Sequence, residues 1–132
     1  MRIVFNPFSM GTGNNMSFRK AIFKEIGYFD ENFGMGTPYP TEDIDMFYRI
    51  LKKGYEIFYN PYAIVYHKDK VKDTKKTAFM YGRGARAFLT KEIDITKILI
   101  IILLLIKLSF ESIFKPAKRE YLRGFLNINY HR

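Results

Sequence analysis

The sequence predicts an α/β domain followed by a helical, basic tail. Short apolar runs of strand length lie near residues 2, 56 and 63, and two segments between them space their apolar residues as a helix does. A longer apolar run follows residue 93. With 132 residues, 48% of them hydrophobic, the chain is long enough for one domain with a modest core.

The first elements are predicted from turn and cap residues. Arg2–Phe5 predicts a short strand that ends at Asn6-Pro7, because proline has no amide hydrogen to donate to a sheet. Ser17 is a favourable N-cap for a helix that extends to about Ile26. Gly27 is then the residue expected just past the end of that helix.

A second helix and two further strands are predicted next. Thr41 is expected to cap the helix and Gly54 to end it. Glu56–Tyr59 and Ala63–Tyr66 predict two short strands, because aromatic and β-branched residues favour strands. Asn60-Pro61 between them favours a turn.

The tail is predicted to be helical. A helix is expected at about 72–91, although the two glycines of Tyr81-Gly82-Arg83-Gly84 weaken that prediction. In the apolar segment that follows, Ile98–Ile106 would be about 14 Å long as a helix, against about 30 Å for a bilayer core. Lysines flank this run on both sides and can reach a lipid surface. Because of these flanking lysines we expect a membrane segment at about 95–114. The alternative is a buried core helix.

Charge divides the chain into two parts. Residues 1–67 carry seven basic and seven acidic side chains, whereas residues 68–132 carry fifteen basic and six acidic ones, and hence the whole net charge of +9. A basic half favours an anionic partner such as an anionic membrane surface, a nucleic acid or a phosphorylated substrate. Nucleic acid is disfavoured, because no helix-turn-helix, zinc-finger or RNA-recognition signature is present. The domain is expected at 1–90 and the apolar, basic tail at 91–132.

The lack of cysteine and the small number of histidines exclude several kinds of metal and disulfide site. The chain has no cysteine, which excludes disulfides and thiolate metal sites and fits a reducing compartment. It has two histidines, too few for a zinc site built from several of them. The short apolar run at the N terminus does not predict a secretory signal.

The acidic segment Glu42-Asp43-Ile44-Asp45 carries the clearest chemical signal. It opens the second predicted helix after a loop rich in Gly, Pro and Thr, and such loops often line clefts. A carboxylate in that position can take a proton from a substrate hydroxyl. The alternative is helix capping, because acids in the first turn interact favourably with the helix dipole.

Several short motifs follow one another in a distinctive order. They are Gly13-Asn14-Asn15-Met16-Ser17-Phe18-Arg19, Gly27-Tyr28-Phe29-Asp30-Glu31 and the acidic segment, followed by Gly54, Pro61 and His67. This order resembles the acceptor-side half of the family 2 glycosyltransferases. The resemblance covers roughly residues 6–67, with a weaker similarity to about residue 86. It implies an incomplete GT-A-type domain, a nucleotide-diphospho-sugar transferase fold, ahead of the helical tail.

The resemblance also implies roles for individual residues. In the family, the Asp that directly follows Glu is the general base, and here that residue is Asp43. His67 would help to ligate a Mn or Mg ion that holds the donor diphosphate, with an ordinary polar strand end as the alternative. The candidate substrate-binding residues are Gly13, Asn14, Asn15, Glu42, Asp45 and Arg83. For the Gly13 loop the alternative is a simple turn, and for Arg83 it is a solvated basic helix face.

A complete enzyme of this type also has a nucleotide-binding half with an Asp-x-Asp motif. No such motif precedes Asn14. We therefore expect transfer of a sugar from a nucleotide-diphosphate donor to a saccharide or lipid-linked acceptor, with a partner polypeptide supplying the donor-binding half. The expected location is the cytoplasmic face of a membrane, or otherwise the cytoplasm. The alternative is a non-catalytic remnant that binds a membrane or a partner protein.

Overall fold

The computed structural model describes residues 7–34, 36–66 and 74–126, and every regular element in these ranges is a helix. The predicted α/β fold class, and with it the expected incomplete GT-A-type domain, is therefore wrong for the described part of the chain. The elements in chain order are a 3₁₀ turn Pro7–Ser9 and the helices α1 Ile22–Ile26, α2 Glu42–Lys52, α3 Thr74–Thr90, α4 Ile95–Phe114 and α5 Pro116–Phe125.

The segments predicted as strands lack the neighbour that a strand requires. Neither Glu56–Tyr59 nor Ala63–Tyr66 forms a regular element. A strand is stable when its backbone groups pair with a second strand, and the described ranges contain none. The aromatic residues of segment 55–66 instead face solvent. The predicted strand Arg2–Phe5 lies outside the described residues.

Helix α1 is shorter than predicted, because it starts well after its predicted N-cap, Ser17. It begins at Ile22 and not after Ser17. Before it, the aromatic ring of Phe18 packs edge-on against Phe23 at 5.7 Å and Phe29 at 5.9 Å between ring centroids. The segment before α1 is therefore held by these side-chain contacts and by a turn hydrogen bond from the Ile22 amide to the Arg19 carbonyl oxygen at 2.9 Å.

Helix α2 matches its prediction because its signals are local. It begins one residue after Thr41, and Gly54 follows its end with φ of 93°. Gly27 follows α1 in the same way with φ of 77°. Both φ values lie in the region that glycine adopts readily and other residues avoid.

The core lies between α2, α3 and α5. Ala85, Phe88 and Leu89 of α3 are completely buried and pack with Tyr48 of α2 and Phe125 of α5. The rings of Tyr48 and Phe88 meet edge-on, 5.4 Å between centroids. One aromatic cluster thus fixes the position of α2 against the two later helices.

Two glycines bring α3 and α5 into backbone contact. A Cβ atom at Gly82 would lie 2.0 Å from the carbonyl oxygen of Tyr121, and one at Gly124 would lie 2.0 Å from that of Phe79. Any larger residue would force the helices apart. The helix predicted at about 72–91 is confirmed over Thr74–Thr90, where it runs without interruption, so the glycines serve the packing between helices.

Helix α4 confirms the helical part of the tail and is anchored to α2 at its start. The carboxylate of Asp94 accepts a hydrogen bond from the Lys97 amide at 3.0 Å, and from the Tyr48 hydroxyl at 2.6 Å and Lys52 Nζ at 2.8 Å. Burial opposes ionisation of Asp94, but these hydrogen bonds outweigh it and lower its pKa to about 2. Within the described ranges, no helix has both the length and the apolarity needed to cross a membrane.

The first charge of α4 points into the protein. Lys97 is 3% exposed, and its Nζ donates to the carbonyl oxygen of Phe88 at 2.9 Å and to that of Lys91. The ammonium group also lies over the rings of Phe88 and Tyr48, at 4.5 and 5.0 Å from their centroids. Burial lowers the pKa of Lys97. Its cation caps the carbonyl end of α3, where the helix dipole is negative.

A buried carboxylate joins distant parts of the chain. Asp45 is 3% exposed and pairs with Arg49 at 2.9 Å and with Lys91 at 3.2 Å. Arg49 also donates to the carbonyl oxygen of Ile26 at 2.5 Å, at the end of α1. Lys91 also pairs with Asp30 at 2.6 Å, in the loop before α2. We call these four charged residues the Asp45 network.

Replacing Gly82 with alanine is expected to destabilise the protein. In an ordinary helix this change stabilises by about 1 kcal/mol, but here the new methyl group meets backbone and the overpacking costs about 1 to 3 kcal/mol. Urea unfolding of Gly82→Ala measures the loss, with Tyr81→Ala at the exposed neighbouring position as the control. A Gly82→Ala protein as stable as the wild type would contradict the close packing of α3 and α5.

The pairing of Asp30 with Lys91 predicts that the protein loses stability in acid. The hydrogen bond from Lys91 lowers the pKa of Asp30 from 3.8 to about 2. Because the folded-state pKa is lower than the unfolded one, this stabilisation is complete above about pH 5 and is lost as the pH falls through about 2. Asp30→Asn should cost about 1 kcal/mol at pH 7, allowing for solvent screening, and much less at pH 2, where the folded-state carboxylate is about half protonated.

The measurement is the free energy of unfolding of Asp30→Asn and wild type between pH 7 and pH 2. Glu31→Gln, at the exposed position next to Asp30, serves as the matched control and should behave as wild type throughout. A difference between Asp30→Asn and wild type that stays constant across this pH range would contradict the pairing of Asp30 with Lys91.

Candidate functional site

Asp43 lies in the first turn of α2 and contacts the glycine-bearing loop. Its Oδ2 accepts a hydrogen bond from the backbone amide of Gly13 at 2.9 Å, across 30 residues of sequence. Its Oδ1 accepts one from the amide of Ile44 at 2.8 Å. The Gly13 loop and the acidic segment, which are far apart in the sequence, are therefore in contact in the structure.

The Asp43 carboxylate keeps capacity for a further partner. An ionised carboxylate has about four lone-pair positions, and the two backbone amides use one on each oxygen. Asp43 is half-buried, whereas Gly13, Asn14 and Asn15 are exposed. A hydroxyl group arriving from solvent can therefore approach the carboxylate beside an exposed loop that offers amide groups.

Asn15 connects the loop to the segment that follows α2. Its side-chain Nδ2 donates to the carbonyl oxygen of Ala63 at 2.5 Å. That bond uses one of the two amide hydrogens and leaves the side-chain oxygen free to accept. Asn14 is exposed next to it. The loop is thus held at Gly13 by Asp43 and at Asn15 by segment 55–66.

Glu42 packs against the loop before α2. Gly34 has φ of 108°, and a Cβ atom there would lie 3.3 Å from Glu42 Cδ. A side chain at this position would therefore press on the Glu42 carboxyl group as well as strain the backbone. Gly34 leaves room for Glu42 beside Asp43, at the start of α2.

The start of α2 is fixed by a contact that sequence reasoning missed. Thr41 is 1% exposed, and its hydroxyl does not cap α2 but donates to the carbonyl oxygen of Gly84 at 3.2 Å. A Cβ atom at Gly84 would lie 2.8 Å from Thr41 Cγ2. Gly84 thus allows α3 to approach the residue that directly precedes the acidic segment. No local signal in the sequence pairs Thr41 with Gly84.

Arg83 sits next to this contact. Its guanidinium lies over the ring of Tyr39, 5.6 Å from the centroid, and the side chain is half-buried. A cation above an aromatic face is held by the quadrupole of the ring. Arg83 therefore packs on the loop before α2, and its role in binding a substrate stays a prediction.

Asp45 and Arg49 belong to the Asp45 network. The burial of Asp45 and its two ion pairs give it a structural position, and its predicted contact with an acceptor is not tested. The spacing of Asp45 and Arg49 by four residues is a helix ion-pair signal that the sequence contains. The pairing of Asp45 with Lys91 has no such local signal.

A small mixed-charge cavity of about 60 Å³ lies beside the C-terminal half of α2. Asp43 does not line it, and three of its lining residues, Asp45, Arg49 and Lys91, belong to the Asp45 network. The lining residues are Asp45, Tyr48, Arg49, Lys52, Lys91, Glu92 and Lys97.

The predicted Mn or Mg site cannot be located from the described ranges alone, because its expected ligand is His67. No three His, Cys, Asp or Glu side chains come together there in a way that could hold a metal ion. His67 lies outside the described residues, so its assignment as a ligand remains a prediction.

One family match spans all the motifs on which the resemblance rests. The model of the glycosyl transferase family group 2 matches residues 1–115 of the 132-residue chain. No curated protein and no solved structure matches the chain. The family match includes the Gly13 loop, the acidic start of α2 and all of α4. The resemblance to family 2 is thereby confirmed, and the chain belongs to the glycosyl transferase family group 2.

Proposed function

We propose that this chain forms the acceptor side of a glycosyltransferase site in which Asp43 is the general base. The observation that carries the proposal is the 2.9 Å hydrogen bond between the Gly13 amide and Asp43 Oδ2. It supports a site because it places a half-buried carboxylate beside an exposed, amide-rich loop, within the segment matched by the family model. The substrates proposed are a nucleotide-diphosphate sugar and a saccharide or lipid-linked acceptor.

The chemistry required of the chain is the removal of one proton. As the acceptor hydroxyl oxygen bonds to the anomeric carbon of the donor, its proton passes to an oxygen of Asp43. The bond between the anomeric carbon and the diphosphate breaks and the diphosphate leaves with the electron pair. A positioned base contributes about 10²- to 10⁴-fold to such a step. The two amides that bind Asp43 hold its carboxylate in one orientation.

The donor side is proposed to come from a partner polypeptide. That part would bind the nucleotide diphosphate, and His67 would contribute to a Mn or Mg ion there. The exposed aromatic residues of segment 55–66 support the presence of a partner, because large apolar side chains are seldom left in water as a group.

A non-catalytic role is the second candidate. It is favoured by the apolar outer face of α4, because an exposed apolar surface of this kind marks a binding site. Transfer assays on a single carboxylate separate the two candidates, because a binding module does not depend on a general base.

Asp43→Asn is expected to reduce sugar transfer by about 10²-fold or more, because an amide cannot accept the acceptor proton. The fold should be kept, since the Asn side-chain oxygen can still accept the Gly13 amide. The assay measures nucleoside diphosphate released from a panel of nucleotide sugars, with Mn²⁺ and Mg²⁺ present. It uses the chain together with membranes of an expressing host, which supply acceptors and partners.

Glu31→Gln is the matched control, because it removes one exposed carboxylate outside the site and should leave transfer unchanged. Undiminished transfer by Asp43→Asn would exclude Asp43 as the base. A wild-type chain that adds no transfer with any donor in the panel would support the non-catalytic candidate.

A further inference from the structure

Helix α4 has a continuous apolar outer face. Nine of its side chains are apolar and lie between 42% and 72% exposed, and they follow one side of the helix over its full 20-residue length. We call this the α4 face. Its members are Ile95, Ile98, Leu99, Ile102, Leu103, Ile106, Phe110, Ile113 and Phe114. Exposed apolar surfaces of this extent mark sites of interaction.

Two of the three charges within α4 point toward the protein. Lys97 is buried against the end of α3, as described above. Glu111 is half-buried and pairs with Lys118 of α5 at 3.5 Å, and Leu108 between them is 2% exposed. The α4 face itself carries no acidic side chain. One side of the helix is therefore covered by protein and the other is apolar.

Basic side chains border the α4 face toward its C-terminal half. Lys107, Lys115 and Arg119 are exposed, and none has an ion-pair partner among the described residues. The two acids of segment 95–126, Glu111 and Glu120, are each paired with a basic residue of α5. The border of the α4 face is therefore positively charged without compensation.

We propose that the α4 face lies on the surface of an anionic lipid bilayer. Helix α4 is then parallel to the membrane plane, with its apolar side chains among the acyl chains near the headgroups. Lys107, Lys115 and Arg119 bind lipid phosphates. This inference concerns where the protein sits and goes beyond the proposed transfer reaction, on which it does not depend.

The positive charge at the border of the α4 face favours lipid over a second copy of this chain as its partner. A second copy docked through its own α4 face would offer no acidic side chain to these basic residues, because that face carries none. Anionic headgroups complement them, and each basic residue near such a surface strengthens binding. A helix with one apolar side, flanked by Lys and Arg, is the arrangement that lies within a membrane interface. Since α3 and α5 cover the inner side of α4, only the α4 face is available to lipid.

A fluorescent residue can report on the face, because the chain contains no tryptophan. Phe110→Trp places one on the α4 face, at a position 70% exposed. Phe58→Trp is the matched control, at a position 84% exposed in segment 55–66. With vesicles of 70% phosphatidylcholine and 30% phosphatidylserine, we expect a blue shift and quenching by brominated lipid for Phe110→Trp alone.

Substitutions on the α4 face and at its basic border test which side chains bind the membrane. Ile106→Glu on the face should lower affinity for the anionic vesicles by about tenfold or more, while Ile64→Glu, the same change at another exposed isoleucine, should not. The triple variant Lys107→Gln, Lys115→Gln, Arg119→Gln should also lose about tenfold or more, and 0.5 M salt should act in the same direction.

Three outcomes would overturn the proposal. One is an unshifted Phe110→Trp spectrum with anionic vesicles. Another is binding that is equal for wild type and Ile106→Glu. The third is a dimer seen by sedimentation in the absence of lipid that Ile106→Glu dissociates, which would assign the α4 face to a second copy of the chain.

Discussion

The buried carboxylate of Asp45 is the interaction on which the arrangement of this protein depends. It holds Arg49, which reaches the end of α1, and Lys91, which follows α3 and pairs with Asp30. A carboxylate that is 3% exposed must keep such partners, because removing one leaves an uncompensated charge and costs about 3 to 5 kcal/mol. The network therefore ties the loop before α2, α2 itself and the end of α3 into one unit. Asp43 lies in the first turn of α2, within that unit.

Local signals in the sequence predicted the helices well and the strands poorly. The glycine stop and apolar spacing of α2, and the long apolar run of α4, act within a few residues and need no distant partner. Glu56–Tyr59 and Ala63–Tyr66 have strand composition, but a strand depends on a neighbour that the described ranges do not contain. The glycines of α3 disfavour a helix by propensity, yet Gly82 and Gly84 are where α3 meets other parts of the chain.

The candidate site was predictable in its components and not in its contacts. The order of motifs indicated the family and singled out Asp43, and the family match supports that order. The hydrogen bond from Gly13 to Asp43 spans 30 residues, and the one from Thr41 to Gly84 spans 43, so neither follows from local pattern. The same holds for α4, whose composition predicted an apolar helix but not which side the protein would cover.

The contact between Gly13 and Asp43 is the most direct test of this account, and nuclear magnetic resonance can measure it. The chemical shift of the Gly13 amide and its exchange with solvent are compared in the wild type, in Asp43→Asn and in Asp43→Ala. We expect Asp43→Asn to keep the slow exchange of the wild-type Gly13 amide, because the Asn side-chain oxygen can still accept its hydrogen bond, and Asp43→Ala to lose it. A Gly13 amide that exchanges equally in the wild type and in Asp43→Ala would contradict the joining of the two motifs.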